Sequence, residues 1–179
     1  MPRRMLVPFL CFSLLWGAAC ATTSGARAGA SANSDAFVFG GDDDAKAAVL
    51  LGDWLKKHQI TVTQVAQGDV GVAVNGWRIL LSPKMYTGGE IDRFVTTLFF
   101  APQDKWKGSK ELRDFANDLN VRWNIGGFYV DTDGDLVLQT ALTFEDQVSW
   151  DEMKGYFDWL TTTMVTLGSK EKGMALYMQ

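Results

Sequence analysis

Residues 70–81, VGVAVNGWRILL, decide the fold class of this chain. Two apolar segments, 70–74 and 77–81, flank the dipeptide Asn75-Gly76, and both are rich in β-branched or aromatic residues. Asn-Gly between such segments is the strongest short signal for a two-residue hairpin turn, because both residues accept a positive φ. The sequence therefore predicts an antiparallel hairpin here.

Further strands are predicted on both sides of this hairpin. Residues 60–65 alternate along the chain and are β-branched, and Gly68-Asp69 predicts the turn that follows. Residues 91–100 predict a fourth strand, whose apolar residues, Phe99 among them, indicate burial on both faces near its end. Pro83 is expected to end the third strand, since proline cannot donate a ladder hydrogen bond.

Three helices complete the pattern. Residues 43–57 show helical spacing of apolar residues, with acids at the start and basic residues at the end, as the helix dipole favours. Residues 109–120 predict a second helix. The third begins at a capping box formed by Ser149 and Glu152, repeats apolar residues at alternating three and four, and is expected to stop at Gly168.

A second hairpin is predicted around the acidic stretch DTDGD at residues 131–135. This stretch resembles a calcium loop, but Leu136 and Leu142 occupy the positions at which an EF-hand needs glycine and glutamate. Gly134 instead lies where a tight turn requires a positive φ. A turn is therefore the prediction, with a cation site as the alternative.

The resulting element order is α-β-β-β-β-α-β-β-α. Helices do not separate successive strands throughout, which argues against a doubly wound parallel sheet. The predicted fold class is α+β, an antiparallel β-sheet with packed helices. The folded domain is expected at residues 42–168, and residues 169–179 form a C-terminal tail.

The N-terminus has the three parts of a secretory signal. Arg3 and Arg4 precede an apolar run at residues 6–16, and small residues follow it. The run is about half the roughly 20 residues that span a bilayer as a helix, so a permanent transmembrane anchor is the weaker interpretation. Residues 1–19 are therefore predicted to be the signal peptide of an exported bacterial protein.

Cys20 directly follows these small residues, and the arrangement resembles a bacterial lipobox, in which the cysteine becomes the lipidated first residue. The lipobox usually has Leu three residues earlier, where this chain has Gly17, and cleavage after Ala21 is an alternative that would discard Cys20. The resemblance implies attachment to a membrane through a lipid anchor at Cys20. That membrane would be the outer one in a Gram-negative cell, with the protein facing the periplasm. The alternative is a soluble periplasmic or secreted protein.

Residues 20–41 are rich in Ala, Ser, Thr and Gly and are predicted to be a flexible tether.

Composition argues against several classes of function. The whole chain carries a formal charge of −4, to which Arg3 and Arg4 contribute +2, so the part from Cys20 onward carries −6. An acidic domain without a basic cluster is a poor partner for nucleic acid. The only histidine is His58, which a helix end explains, so neither a histidine-dependent triad nor an ordinary zinc site is expected. We predict no catalytic residue, no metal site and no cofactor.

Carboxylates are the remaining source of catalytic chemistry. A hydrolase could use two acids that the fold brings into one pocket, about 5–10 Å apart. Sequence spacing does not bring any such pair together. The available residues are Glu90, Asp92, Asp114, Asp118 and Glu145.

The C-terminal half resembles the YbjN family. The resemblance rests on Asn117-Asp118-Leu119-Asn120, on residues 123–130, on residues 131–138, and on Val148-Ser149 opening the last helix, and it extends over about residues 42–167. Members are often described as bacterial sensory transduction regulators. The resemblance implies the fold of type III secretion chaperones and brings no established catalytic residues.

We therefore expect a non-enzymatic envelope lipoprotein that binds an unidentified envelope protein or peptide. The binding site would be the sheet or a groove flanked by helices. The alternatives are a carboxylate-based hydrolase of the cell envelope and a structural domain that forms dimers. The resemblance to secretion chaperones favours a homodimer.

Overall fold

A computed structural model of the chain describes residues 35–38, 43–84, 92–145 and 147–179. Its strands are β1 (Ala36–Val38), β2 (Thr61–Ala66), β3 (Asp69–Val74), β4 (Trp77–Lys84), β5 (Asp92–Phe100), β6 (Gly127–Val130), β7 (Leu136–Phe144) and β8 (Gln147–Ser149). Its helices are α1 (Asp44–Lys57), α2 (Lys110–Arg122), α3 (Trp150–Lys170) and α4 (Lys172–Tyr177), with a 3-10 turn at Asp104–Trp106.

The described strands form a six-stranded antiparallel sheet and a separate pair. The large sheet has the order β2-β3-β4-β5-β7-β6, and β1 pairs with β8. The α+β class and the antiparallel sheet with packed helices are confirmed, and the predicted element order is present from α1 to α3. β1, β8 and α4 are additions to that order.

The Asn75-Gly76 hairpin is confirmed. Asn75 has a φ of 50° and Gly76 a φ of 84°, as a primed two-residue turn requires, and Val74 pairs with Trp77 across it. The preceding turn uses Gln67 and Gly68, with φ of 53° and 85°, so the predicted turn at Gly68-Asp69 is displaced by one residue.

The prediction that Pro83 ends its strand is wrong. β4 continues to Lys84, and Pro83 pairs with Phe94 of β5. Val70 of β3 pairs with Leu81 of β4, and β3 begins only one residue before Val70, at Asp69. Pro83 therefore lies beyond the end of β3 and has a partner strand on one side only. The missing N–H therefore interrupts no ladder.

Local capping signals set the helix starts. Asp43 caps α1 by accepting hydrogen bonds from the backbone N–H groups of Ala45 and Lys46. The capping box of Ser149 and Glu152 at the start of α3 is confirmed.

The expected stop of the last helix at Gly168 is wrong. α3 continues to Lys170 and is followed by the cap residue Glu171. A glycine that ends a helix usually does so by adopting a positive φ just after the last helical residue. Gly168 does not adopt one, and it is exposed on the helix, where glycine costs only about 0.5–1 kcal/mol relative to alanine.

The predicted tether at residues 20–41 contains a strand. β1 pairs with β8 in the register Phe37 to Val148, and the Phe37 side chain is buried. Its ring lies 5.6 Å from that of Trp54 and 5.8 Å from that of Phe94. The folded part therefore includes residues on the N-terminal side of position 42.

The predicted tail at residues 169–179 packs against the domain. The backbone N–H of Gln103 donates to Tyr177 O at 2.7 Å, and that of Gln179 donates to Ala101 O at 3.1 Å. The Gln103 side chain also donates to Leu176 O and Met178 O. These bonds hold α4 against the end of β5.

All described helices contribute to one core on one side of the large sheet. Leu51 of α1, Leu119 of α2 and Phe157 of α3 belong to the same buried cluster as Phe94 and Leu138 of the sheet. The opposite side of the sheet, called the open face below, is covered by none of the described helices.

Candidate functional site

The open face exposes an aromatic residue that the sequence predicted to be buried. Along β5, Phe94, Leu98 and Phe100 point into the core, whereas Phe99 points to the open face and is 54% exposed. Burial on both faces near the end of this strand is therefore wrong at Phe99. A second layer of helices would have been needed to cover it.

Phe99 belongs to an apolar row across three strands. Val137 of β7 lies opposite Phe99 of β5 and opposite Tyr129 of β6. Val137 is fully buried, whereas Tyr129 is 42% exposed. Adjacent side chains on one sheet face lie in contact distance, so the two rings shield the valine and form a continuous apolar ridge.

A groove of about 640 Å³ adjoins this ridge on β2, β3 and β4. It is lined by Thr63, Gln64, Gly71, Val72, Arg78, Ile79, Leu80 and Phe99. The lining is mainly apolar and includes one cation and no acid, which suits recognition of a ligand rather than acid–base chemistry.

The groove depends on a bulge and on a glycine. The pairing of β2 with β3 shifts register between Val62 and Gln64, which places both Thr63 and Gln64 over Gly71. A Cβ on Gly71 would lie 2.8 Å from Gln64 Cγ and 2.8 Å from Thr63 Oγ1. Glycine at this position therefore allows the Thr63 and Gln64 side chains, which line the groove, to lie close against β3.

The open face has an excess of positive charge. By strand register, the charged residues on this face are Asp69, Arg78, Lys84 and Arg93, three basic residues and one acid. Lys84 pairs with Asp44 at 3.0 Å, and Asp69 accepts a hydrogen bond from Ser82. Arg78 is exposed and has no ion pair with any residue of the described ranges.

The two edges of the sheet differ. At the β6 edge, the Asn120 side chain accepts from Phe128 N at 2.6 Å and donates to Phe128 O at 2.8 Å. The outer side of β2 has no strand partner in the described part of the chain, and β2 carries neither a charged residue nor a proline. β2 therefore lacks two of the usual protections of an edge strand, although its bulge provides a third.

His58 lies in an aromatic cluster beside β1. Its ring stacks on Trp150 at 4.2 Å and lies edge-on to Trp54 at 5.0 Å. Its Nε2 is 3.1 Å from Asp35 Oδ1 but outside hydrogen-bond geometry. The cap position at the end of α1 is as expected from the sequence, and no described groove reaches this histidine.

The acidic stretch at residues 131–135 forms the predicted turn. Asp131 Oδ1 accepts from Asp135 N at 2.9 Å, and Gly134 has a φ of 85°. Among the described residues, no group of three or more His, Cys, Asp or Glu side chains has an arrangement that could hold a metal ion.

Of the acids considered for hydrolysis, the four that the structure describes, Asp92, Asp114, Asp118 and Glu145, line none of its three described grooves. Asp92 is buried in β5, and Asp114 pairs with Lys110 along α2, which also carries Asp118. Glu90 lies outside the described residues. Neither the large groove nor the two others, of about 470 and 380 Å³, is lined by a carboxylate.

One buried polar group gave no signal in the sequence. Tyr156 of α3 points into the core towards Thr96 and Thr140, and burial raises the pKa of its hydroxyl to about 12, although the two threonines counteract part of this shift. Among the described residues, no partner of the Tyr156 or Thr96 hydroxyl satisfies hydrogen-bond geometry.

The predicted leader, which comprises the signal peptide and Cys20, falls outside the described residues. This applies to the predicted signal peptide at residues 1–19 and to the predicted lipidation site Cys20. None of the helices in the described ranges combines the length and apolar character needed to cross a bilayer.

Comparison with known proteins identifies the family. The model of the YbjN family, described as "Putative bacterial sensory transduction regulator", matches residues 47–168. The match starts within α1, ends within α3 and includes every strand of the large sheet. No curated protein matches the chain. The family model covers more than half of the sequence, and the chain therefore belongs to the YbjN family.

Proposed function

We propose that this chain is a non-enzymatic module of the bacterial envelope that binds an extended segment of a partner protein on its open face. The observation that carries the proposal is the ridge of Phe99, Val137 and Tyr129 beside an open groove. Exposed aromatic side chains next to a concave apolar surface are typical of protein interaction sites.

Family membership supports a regulatory role. The family is described as one of sensory transduction regulators, and regulators commonly act by binding other proteins. The predicted likeness to secretion chaperones points the same way, although a fold alone does not define a function. The free edge of β2 would offer main-chain groups to an extended segment at the end of the groove.

The envelope location rests on the leader. We propose that residues 1–19 direct export and that Cys20 carries the lipid anchor. Since β1 begins at Ala36, the tether would be shorter than the sequence predicted. Mass spectrometry of the mature N-terminus tests this: an acylated Cys20 supports anchoring, an N-terminus at Thr22 indicates a soluble exported protein, and an intact leader contradicts export.

A peptide array tests the binding function. The processed chain would be applied to an array of twelve-residue peptides, and positive peptides would be measured by fluorescence anisotropy. Phe99→Ser should weaken binding at least about tenfold, as expected for loss of an aromatic anchor. Val165→Ser is the matched control, because Val165 is 62% exposed on α3, away from the groove. If Phe99→Ser binds the peptides as tightly as Val165→Ser does, the open face is not the binding site.

A further inference from the structure

We propose that the groove on the open face selects a segment that carries a carboxylate next to an apolar side chain. Arg78 would pair with the carboxylate, and Phe99 and Leu80 would contact the apolar neighbour. This inference rests on the proposed function and names the chemistry of its partner.

The cation and the apolar surface lie in one groove. Arg78 pairs with Ala73 of β3, and Leu80, two residues further along the same face, pairs with Gly71 and with Thr97 of β5. Phe99 lies two residues beyond Thr97 on that face and lines the same groove. A short segment lying across these strands would therefore meet a charge and an apolar surface together.

Arg78 is available for such a contact. It is exposed, no acid lines the groove, and within the described ranges it has no ion pair. Guanidinium groups bind carboxylates through two parallel hydrogen bonds, which fixes the orientation of the bound group. Thr63 and Gln64, which also line the groove, supply neutral polar groups for the backbone of the segment.

The charge of the face differs from that of the molecule. The part of the chain from Cys20 onward carries −6, since Arg3 and Arg4 provide +2 of a chain total of −4. The open face nevertheless presents Arg78 without an ion pair in the described ranges, whereas its other basic residue near the groove end, Lys84, pairs with Asp44. Complementary charge at an interface favours the matching partner and suppresses others.

The same charges argue against other occupants. Two copies packed groove to groove would place both Arg78 guanidinium groups in an interface to which the groove contributes no acid, and like charges repel. Anionic membrane surfaces are usually recognised by clusters of about four to eight basic residues, which is more than this face carries.

Three fluorescent peptides test the inference. Each has twelve residues of Gly and Ser around a central Glu-Leu-Phe-Glu, Gln-Leu-Phe-Gln or Lys-Leu-Phe-Lys. Their affinities for the processed chain would be compared by anisotropy, with Arg78→Gln and Lys172→Gln as variants. Lys172 is exposed on α4, so its replacement changes the net charge equally, away from the groove.

The expected order is Glu, then Gln, then Lys, with the Glu peptide about two- to fivefold tighter than the Gln peptide, the range of a partly exposed ion pair. Arg78→Gln should remove that preference, and Lys172→Gln should keep it. Equal affinity of the Glu and Gln peptides would overturn the inference and leave peptide binding intact. If none of the three peptides binds, this inference is wrong. If sedimentation then also gives a dimer whose crosslinks pass through Phe99, the proposed function is wrong as well.

Discussion

Asn120 of α2 uses one side-chain amide to bind both backbone groups of Phe128 in the edge strand β6. The amide oxygen lies 2.6 Å from Phe128 N, and the amide nitrogen lies 2.8 Å from Phe128 O. The side chain thereby replaces a neighbouring strand and satisfies an edge that would otherwise be available for pairing.

Asn120→Ala should destabilise the domain by about 1–3 kcal/mol, because it leaves a part-buried N–H and C=O without partners. Urea unfolding at neutral pH measures the loss. Asn117→Ala is the matched control, since Asn117 is exposed on the same helix and the substitution raises helix propensity equally. Similar stability of the two variants would show that the edge bonds contribute nothing.

The parts of the fold that were predictable from sequence depend on neighbouring residues. Asn75-Gly76 defines its own turn, and Ser149 and Glu152 define their own helix start, because all the interacting groups lie within a few residues. The side chain of Asn75 also donates to Thr161 Oγ1 at 3.1 Å, but no local pattern predicts a bond between residues 86 positions apart.

The candidate site was only partly predictable for the same reason. The apolar run at residues 91–100 correctly predicted a strand, but whether Phe99 is covered depends on which side of the sheet the helices pack. The sequence placed Gly71 within a predicted strand but did not indicate its role, because that role depends on a bulge in another strand. The assignment of Cys20 as a lipid anchor stays a prediction.

Phe37→Ala should weaken the attachment of β1. Removal of a buried phenylalanine costs about 3–5 kcal/mol when the cavity stays empty, and less if β1 detaches, because detachment relieves the cavity. Val38→Ala, in the same strand at 53% exposure, should change stability by at most about 0.5 kcal/mol. Thermal unfolding of both variants compares them, and equal midpoints would mean that residues 36–38 belong to the tether.

Gly71→Ala should displace the Thr63 and Gln64 side chains that line the groove and so weaken peptide binding, because its Cβ would meet both at 2.8 Å. We expect a loss of about threefold or more, with a stability cost of about 1–3 kcal/mol for overpacking. Gly127→Ala is the control, since a Cβ there has no neighbour within 4 Å. Anisotropy with the Glu-Leu-Phe-Glu peptide measures binding. An unchanged affinity would show that the part of the groove around Gly71 does not contact the peptide.

Glu152→Gln should reduce the loss of stability in acid. The Ser149 backbone N–H, and then its hydroxyl, lower the pKa of Glu152 below its usual 4.5. The charged form therefore stabilises the fold above pH 4.5, and this contribution disappears as pH falls through the lowered pKa. At pH 7 the variant should lose about 0.3–1 kcal/mol, and urea unfolding should show this difference shrinking towards pH 3. Asp151→Asn, in the same turn but outside the capping box, should not reproduce the pH dependence.

Tyr156→Phe should make the domain more resistant to alkali. Burial raises the pKa of the Tyr156 hydroxyl from 10.0 to about 12, so the folded state holds this proton more tightly than the unfolded state does. The resulting stability is fully present below pH 10 and is lost as pH rises through the folded pKa. Two pKa units correspond to about 2–3 kcal/mol at most, which the wild type should lose between pH 10 and pH 12 relative to the variant. Urea unfolding at pH 8, 10 and 11.5 measures the difference between the two proteins.

Near neutral pH the variant should be no less stable than the wild type, because the hydroxyl has no partner at hydrogen-bond geometry among the described residues. Parallel losses in both proteins from pH 8 to pH 11.5 would mean that Tyr156 ionises as it does in water and is not held neutral by the core.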